Sequence, residues 1–246
     1  MNNSTISKFR VGVELMEFFL ISMGYEGSLY VTDYIFKTFS KKYNSLSYNS
    51  KQYVITNLNK SVVMGIVFFS FLNTTVKHPE FLTDYTAIVN VKQQRYWRLL
   101  TMLYASTDLI SLIRSPKMPF STQLHHYGVL LALGIILLSK FNGPSLAKAL
   151  AIYGSFSAGA GVVNIYLGVR KLIEPKSKGL WVLKKISLIT YILACSGNWT
   201  WQLNYLLIYL KAPYKLITIF KFLINTGLLY SWIQDDFKLI RHLLTN

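Results

Sequence analysis

The chain has 246 residues, 52% hydrophobic and 15% charged, with a mean hydropathy of +0.34. A soluble domain usually carries about 25% charged residues, so a surface facing mainly water is excluded, and apolar stretches of roughly 16 to 25 residues recur, each close to the span of a bilayer core. The formal charge of +16, from 26 Lys and Arg against 10 Asp and Glu, sits between those stretches. That placement argues against nucleic-acid binding, because no basic soluble domain is left to perform it.

In chain order, the apolar pattern predicts an all-α, multi-pass transmembrane bundle of about seven helices, over 11–36, 54–76, 97–113, 124–140, 145–170, 184–210 and 213–234. The first is the weakest, since Glu14, Glu17, Glu26 and Asp33 must face the bundle interior or the interface. If it is interfacial, six crossings remain. Lys8 and Arg10 precede it as in a signal peptide, but the internal acids and the lack of a small-residue cleavage site make it a retained helix. Lys37, Lys41, Lys42, Lys51 and Lys60 mark the loop that follows. The organisation expected is an N-terminal helix and basic loop over 1–50, a transmembrane domain over 51–240 and a short tail over 241–246.

The third stretch holds Tyr104 and Asp108, one helical turn apart, and the fourth opens with His125-His126. With a turn between Pro116 and Pro119, Asp108 lies about 12 Å and His125 about 9 Å from it at about 1.5 Å per residue. They can therefore meet, and adjacent histidines about 100° apart on a helix leave only one needing to do so. Asn142-Gly143-Pro144 separates the fourth and fifth stretches, and Gly154 through Gly161 reads as small-residue helix packing. Asn164 lies six residues before Arg170, near the same predicted depth as Asp108 and His125. The sixth stretch is interrupted at Ser196-Gly197-Asn198-Trp199, beside Cys195 in an apolar setting that suggests inert packing. The excess of Lys and Arg falls on the loops 37–53, 114–123 and 171–183 and the carboxyl tail, which favours a cytoplasmic C-terminus and a luminal N-terminus.

Ionisable groups inside a membrane are costly unless they face protein or a cavity, so Asp108, His125, His126 and Asn164 are the informative residues. They could equally serve as interhelical hydrogen-bond glue. No metal site is expected. The adjacent histidines lack i, i+4 spacing, only His78 and His242 remain as imidazoles, and a single cysteine allows neither a disulfide nor a thiolate cluster.

Tyr104 through Asp108, His125-His126, Gly159 through Arg170 with its Asn164, and Asn57 followed by Ser61 together resemble the TLC-domain family, closest to its small members. That family joins translocating-chain-associating proteins, longevity-assurance ceramide synthases and the ceroid-lipofuscinosis membrane protein. The resemblance spans roughly residues 50 to 240, with Met64 where many relatives have a histidine and Ser157 where many have an acid. The ceramide-synthase extension after the first histidine pair is replaced by apolar Val129 through Ile136.

The resemblance implies an endomembrane protein, by default of the endoplasmic reticulum, whose cavity handles a lipid in membrane-lipid or sphingolipid homeostasis. Tyr104, Asp108, His125, His126, Asn164, Asn57 and Ser61 would form that cavity. An alternative is an acyl-CoA-dependent N-acyltransferase, with fatty acyl-CoA as substrate and no other cofactor, an imidazole of His125 or His126 as base or acyl acceptor, and Asp108 orienting it. A further alternative is a membrane chaperone or trafficking factor. The partners implied are membrane lipids, and possible membrane-protein partners or a second copy of the chain.

Overall fold

The computed structural model describes residues 3–84, 89–115, 118–139, 141, 145–211 and 216–245. Ten helices and no strand occur among them: α1 (Asn3–Phe39), α2 (Lys41–Asn44), α3 (Tyr48–Lys77), α4 (Glu80–Thr83), α5 (Val91–Arg114), α6 (Phe120–Leu138), α7 (Leu146–Ala158), α8 (Gly161–Val169), α9 (Lys178–Lys211) and α10 (Leu216–Thr245). Four stretches are long and apolar enough to cross a membrane: Tyr48–Lys77, Phe120–Leu138, Leu146–Val169 and Lys178–Ile208. By length and composition four of the described stretches thus qualify as spans. Acids along α1 and basic residues such as Arg95 and Arg98 in the first turns of α5 lower the hydropathy of those two helices.

Two local expectations are corrected. Ser196 through Trp199 do not interrupt α9, which runs unbroken from Lys178 to Lys211. Gly197 there leaves room for the Phe156 ring, which a Cβ would meet at 3.2 Å. Lys60 is not in a loop. α3 starts at Tyr48, where the Ser47 side chain caps the Ser50 N–H, so Lys60 lies twelve residues into the helix, about 18 Å from its start. The expected turn at Pro116 and breaker at Asn142-Gly143-Pro144 lie outside the described residues.

The three glutamates of α1 meet arginines of α5, while Asp33 pairs with Lys37 and accepts from Tyr43 Oη at 2.5 Å. Near one end Glu14, 1% exposed, lies 3.4 Å from Arg98 Nη1, and Glu17 pairs with Arg95. Near the other end Glu26 accepts from Arg114 Nε and Nη2 at 2.9 and 2.5 Å. The outer face of α1 keeps its exposed apolar side chains, among them Met16, Phe19, Met23 and Val31. Arg98 also donates from Nη2 to the Ser139 carbonyl at 2.7 Å, supplying a partner to the end of α6 that helix geometry leaves open.

Paired contacts fix the helix directions. Glu14 with Arg98 and Glu26 with Arg114 make α1 and α5 parallel. Gln52 with Arg114 and Lys60 with Asp108 make α3 antiparallel to α5. Arg98 with Ser139 and Asp108 with His126 do the same for α6. Tyr53 with Arg170 and Met64 with Asn164 run α8 against α3, while His125 with Asp235 and Gly128 with Trp232 run α10 against α6.

Small residues set the closest approach, between α3 and α8. A Cβ on Gly168 would come within 2.8 Å of Leu58 Cγ, and one on Gly161 within 3.2 Å of Met64 Cβ. Gly159, between α7 and α8, is likewise crowded, with the Phe68 ring of α3 at 3.0 Å from where its Cβ would lie. An apolar core around Trp97, Phe141, Ile152 and Tyr205 fills the opposite end of the bundle from Arg114.

Candidate functional site

Helices α1, α3, α5, α6, α8, α9 and α10, with Ser157 of α7, line a cavity of about 1350 Å³, larger than the roughly 300–1,000 Å³ of ordinary ligand pockets. Its wall mixes apolar side chains such as Met64, Val163 and Leu167 with polar ones from every one of these helices. Five residues singled out from the sequence line it: Asn57, Tyr104, His125, His126 and Asn164.

Asp108 stands just behind that wall, fully buried. Its Oδ1 accepts from Lys60 Nζ at 2.5 Å and lies 2.8 Å from His126 Nδ1. Its Oδ2 has no hydrogen-bond partner. The Lys60 amine also lies 5.9 Å from the centre of the Tyr104 ring. An imidazole whose Nδ1–H is held by a carboxylate carries its lone pair on Nε2 when neutral, so His126 is oriented as a base or an acceptor. The charge balance explains the burial: the Lys60 cation offsets the Asp108 anion, which either group alone would need solvent to stabilise.

His125 is turned away from Asp108. Its ring is nearly perpendicular to that of His126, and its Nδ1 lies 3.6 Å from Asp235 Oδ2 without a hydrogen bond. Of the two adjacent histidines, His126 contacts the aspartate, although both face the cavity. On the α9–α10 side, Asp236 accepts from Tyr191 Oη at 2.7 Å and Trp199 Nε1 at 3.1 Å. Cys195, expected as inert packing, is buried in the same stretch of wall.

Asn164 donates from Nδ2 to Met64 Sδ at 3.0 Å, and Asn57 donates to the Tyr53 carbonyl at 2.8 Å. Ser61 is not in the cavity wall. Its hydroxyl donates to the Leu58 carbonyl at 2.6 Å, and its own carbonyl lies against Gly161 in the α3–α8 seam.

Lys60, Asp235 and Asp236 are among the polar wall residues that sequence reasoning did not single out for the site. Lys60 falls inside the stretch expected to be helical over 54–76, but as a cation near its start it groups with the loop in sequence; α3 begins at Tyr48 and holds it well inside the helix. No cluster of three or more His, Cys, Asp or Glu side chains suited to a metal ion occurs among the described residues. The class these features define is an all-α protein with four helices able to cross a membrane and a large polar-walled cavity among its helices. No family model, curated protein or solved structure matches the chain.

Proposed function

We propose that this chain is a TLC-like multi-pass protein of the endomembrane system that holds a membrane lipid in its cavity and acts in membrane-lipid or sphingolipid homeostasis. The observation that carries the reading is the 1350 Å³ cavity, in which Lys60 and His126, both bound to Asp108 behind the wall, stand among polar side chains beside an apolar stretch that includes Met64, Val163, Leu167 and Leu239. Such a space suits an amphipathic molecule: acyl chains against the apolar wall, a polar group against the charged set.

Seven crossings are part of the proposal. Successive long helices run in alternating directions, and α1 and α5 neutralise their charges on each other, which lowers the cost of placing both in a bilayer. The site residues proposed are Tyr104, Asp108, His125, His126, Asn164 and Asn57, with Lys60 added.

The test is lipid mass spectrometry of the protein purified in mild detergent, alongside the His126→Ala variant. Acyl lipid should copurify with the parent and be lost from the variant at unchanged melting temperature. A parent free of lipid, or a variant with equal lipid content, sinks the reading.

One contact favours a second reading. The His126–Asp108 hydrogen bond is the arrangement of an oriented general base, which fits an acyl-CoA-dependent N-acyltransferase. There His126 would take the proton of an attacking amine as the amide bond forms, and the thiolate of coenzyme A would leave and be protonated. Amide product formed from acyl-CoA and an amine by the parent, but not by His126→Ala, would establish the enzyme over the binder.

A further inference from the structure

Arg170, at the end of α8, is a half-buried cation with no carboxylate partner among the described residues. Nη2 donates to Tyr53 Oη at 3.2 Å, Nη1 lies 2.8 Å from His242 Nε2, and the guanidinium sits 5.8 Å from the centres of the Tyr53 and Tyr166 rings. Its Nε is buried and makes no hydrogen bond. The other arginines drawn into the bundle each have a carboxylate: Arg10, Arg95 and Arg98 gather around Glu14 and Glu17, and Arg114 holds Glu26.

The unmatched charge stands beside the cavity, because Tyr53, Leu167 and Leu239 line it and flank Arg170 and His242. Lys184 lies close enough to act on His242, and from Arg170 to Lys185 the chain carries six basic residues against Glu174 alone. Exposed Trp181, with Lys185 over its ring at 5.7 Å, adds the aromatic and basic pairing typical of the headgroup layer.

The Nε–Nη2 edge of a guanidinium is the fork that binds two oxygens of a phosphate. Here one of its donors is spent on a neutral hydroxyl and the other has no acceptor. We propose that Arg170, with the Tyr53 hydroxyl, seats a phosphate ester that forms the polar end of the amphipathic ligand; this rests on the lipid-holding reading above. On binding, a phosphate oxygen replaces Tyr53 on Nη2, a second reaches Nε, and the freed Tyr53 O–H donates to the same group. A carboxylate would meet the fork alone, whereas a phosphate has oxygens left for the tyrosine and charge left for Lys184.

The experiment titrates the purified full chain in detergent with dioleoyl phosphatidic acid and dioleoylglycerol, using native mass spectrometry. Glycerol 3-phosphate and inorganic phosphate serve as competitors. The parent should prefer the phosphatidic acid by roughly tenfold or more, the range of a charged hydrogen-bonded contact. Arg170→Gln should abolish the preference and leave dioleoylglycerol binding unchanged. Tyr53→Phe should reduce it, and Lys171→Gln, on the exposed neighbour, should keep it. Arg170→Lys retains the charge and should keep part of the preference, so the reading survives a failure of Arg170→Gln to fold.

Displacement of phosphatidic acid by glycerol 3-phosphate at comparable concentration would support the seat and assign it to a soluble phosphate ester; failure of both competitors would support a lipid headgroup. Equal binding of both lipids by the parent overturns the phosphate seat and leaves the lipid cavity standing. Equal loss of preference in Lys171→Gln and Arg170→Gln overturns it in favour of a diffuse basic surface. No binding of either lipid overturns both readings.

Discussion

At Asp108 the carboxylate serves two neighbours, and the nearer one is a cation. Asp108→Asn keeps the side-chain shape, which would make it a clean probe of His126 if the histidine were the only partner. With Lys60 at 2.5 Å it also strands an amine whose side chain is 13% exposed. Removing one member of a buried pair costs about 3–5 kcal/mol, and the residual exposure of Lys60 keeps the expected loss near the lower end. The variant should melt well below the parent in the same detergent, and adding Lys60→Met should restore most of the difference. Equal melting of Asp108→Asn and the parent would mean that the pair contributes nothing to stability. His126→Ala removes a neighbour without stranding a charge, so it is the substitution that separates function from folding.

Among the elements, α3 and α8 approach closely because Gly161 and Gly168 present no side chain to α3. A Cβ at Gly168 would meet Leu58 Cγ at 2.8 Å, a branch point that cannot swing away as a chain end would. Gly168→Ala is expected to destabilise by about 1–3 kcal/mol, the range for overpacking a filled contact. Gly134→Ala on α6 is the control, since nothing lies within 4 Å of its Cβ and the helix gains at most about 1 kcal/mol from the alanine. Thermal melting of the two variants beside the parent checks both. The reverse order would place the tight seam elsewhere. Because α8 carries Asn164 and ends at Arg170, loosening this seam should also weaken lipid retention.

On the scale of the whole molecule, the seven-crossing proposal makes a directional prediction. The basic residues near Arg170 through Lys185, and those of the loop after α1, collect on the side where Arg114 and the end of α10 lie. Moving Lys60 from that loop into the bundle, and Arg98 and Lys148 into the interior of the other side, leaves the excess on the same side. A tag at the carboxyl terminus should be digested by protease added outside sealed microsomes, and a tag at the amino terminus should be protected. The opposite pattern would invert the orientation, and digestion of both tags would leave an even number of crossings.

Much of this molecule could be read from one dimension because the bilayer scale is itself one-dimensional. Runs of apolar residues near α3, α6, α7 with α8, and α9 declare helices long and apolar enough to span, whatever they pack against. The nearness of Asp108 to the histidine pair followed from helical rise across a proline-bounded hairpin, and small residues around Gly161 marked a close contact. What remained hidden depended on which residues of distant segments share a depth and face each other. Lys60 stood at the edge of an apolar run and looked like a loop cation, until the Ser47 cap placed it three turns into α3 with Asp108 as its counter-charge. Ser61, its neighbour, rotated about 100° around the same helix, falls in the seam instead of the cavity. Glu14 and Glu26 weakened α1 as a membrane helix in sequence, and only the packing revealed arginines of α5 awaiting them at matching heights. Hydrophobicity is a property each residue carries with it, whereas charge compensation belongs to pairs, and pairs between helices exist only once the bundle has formed.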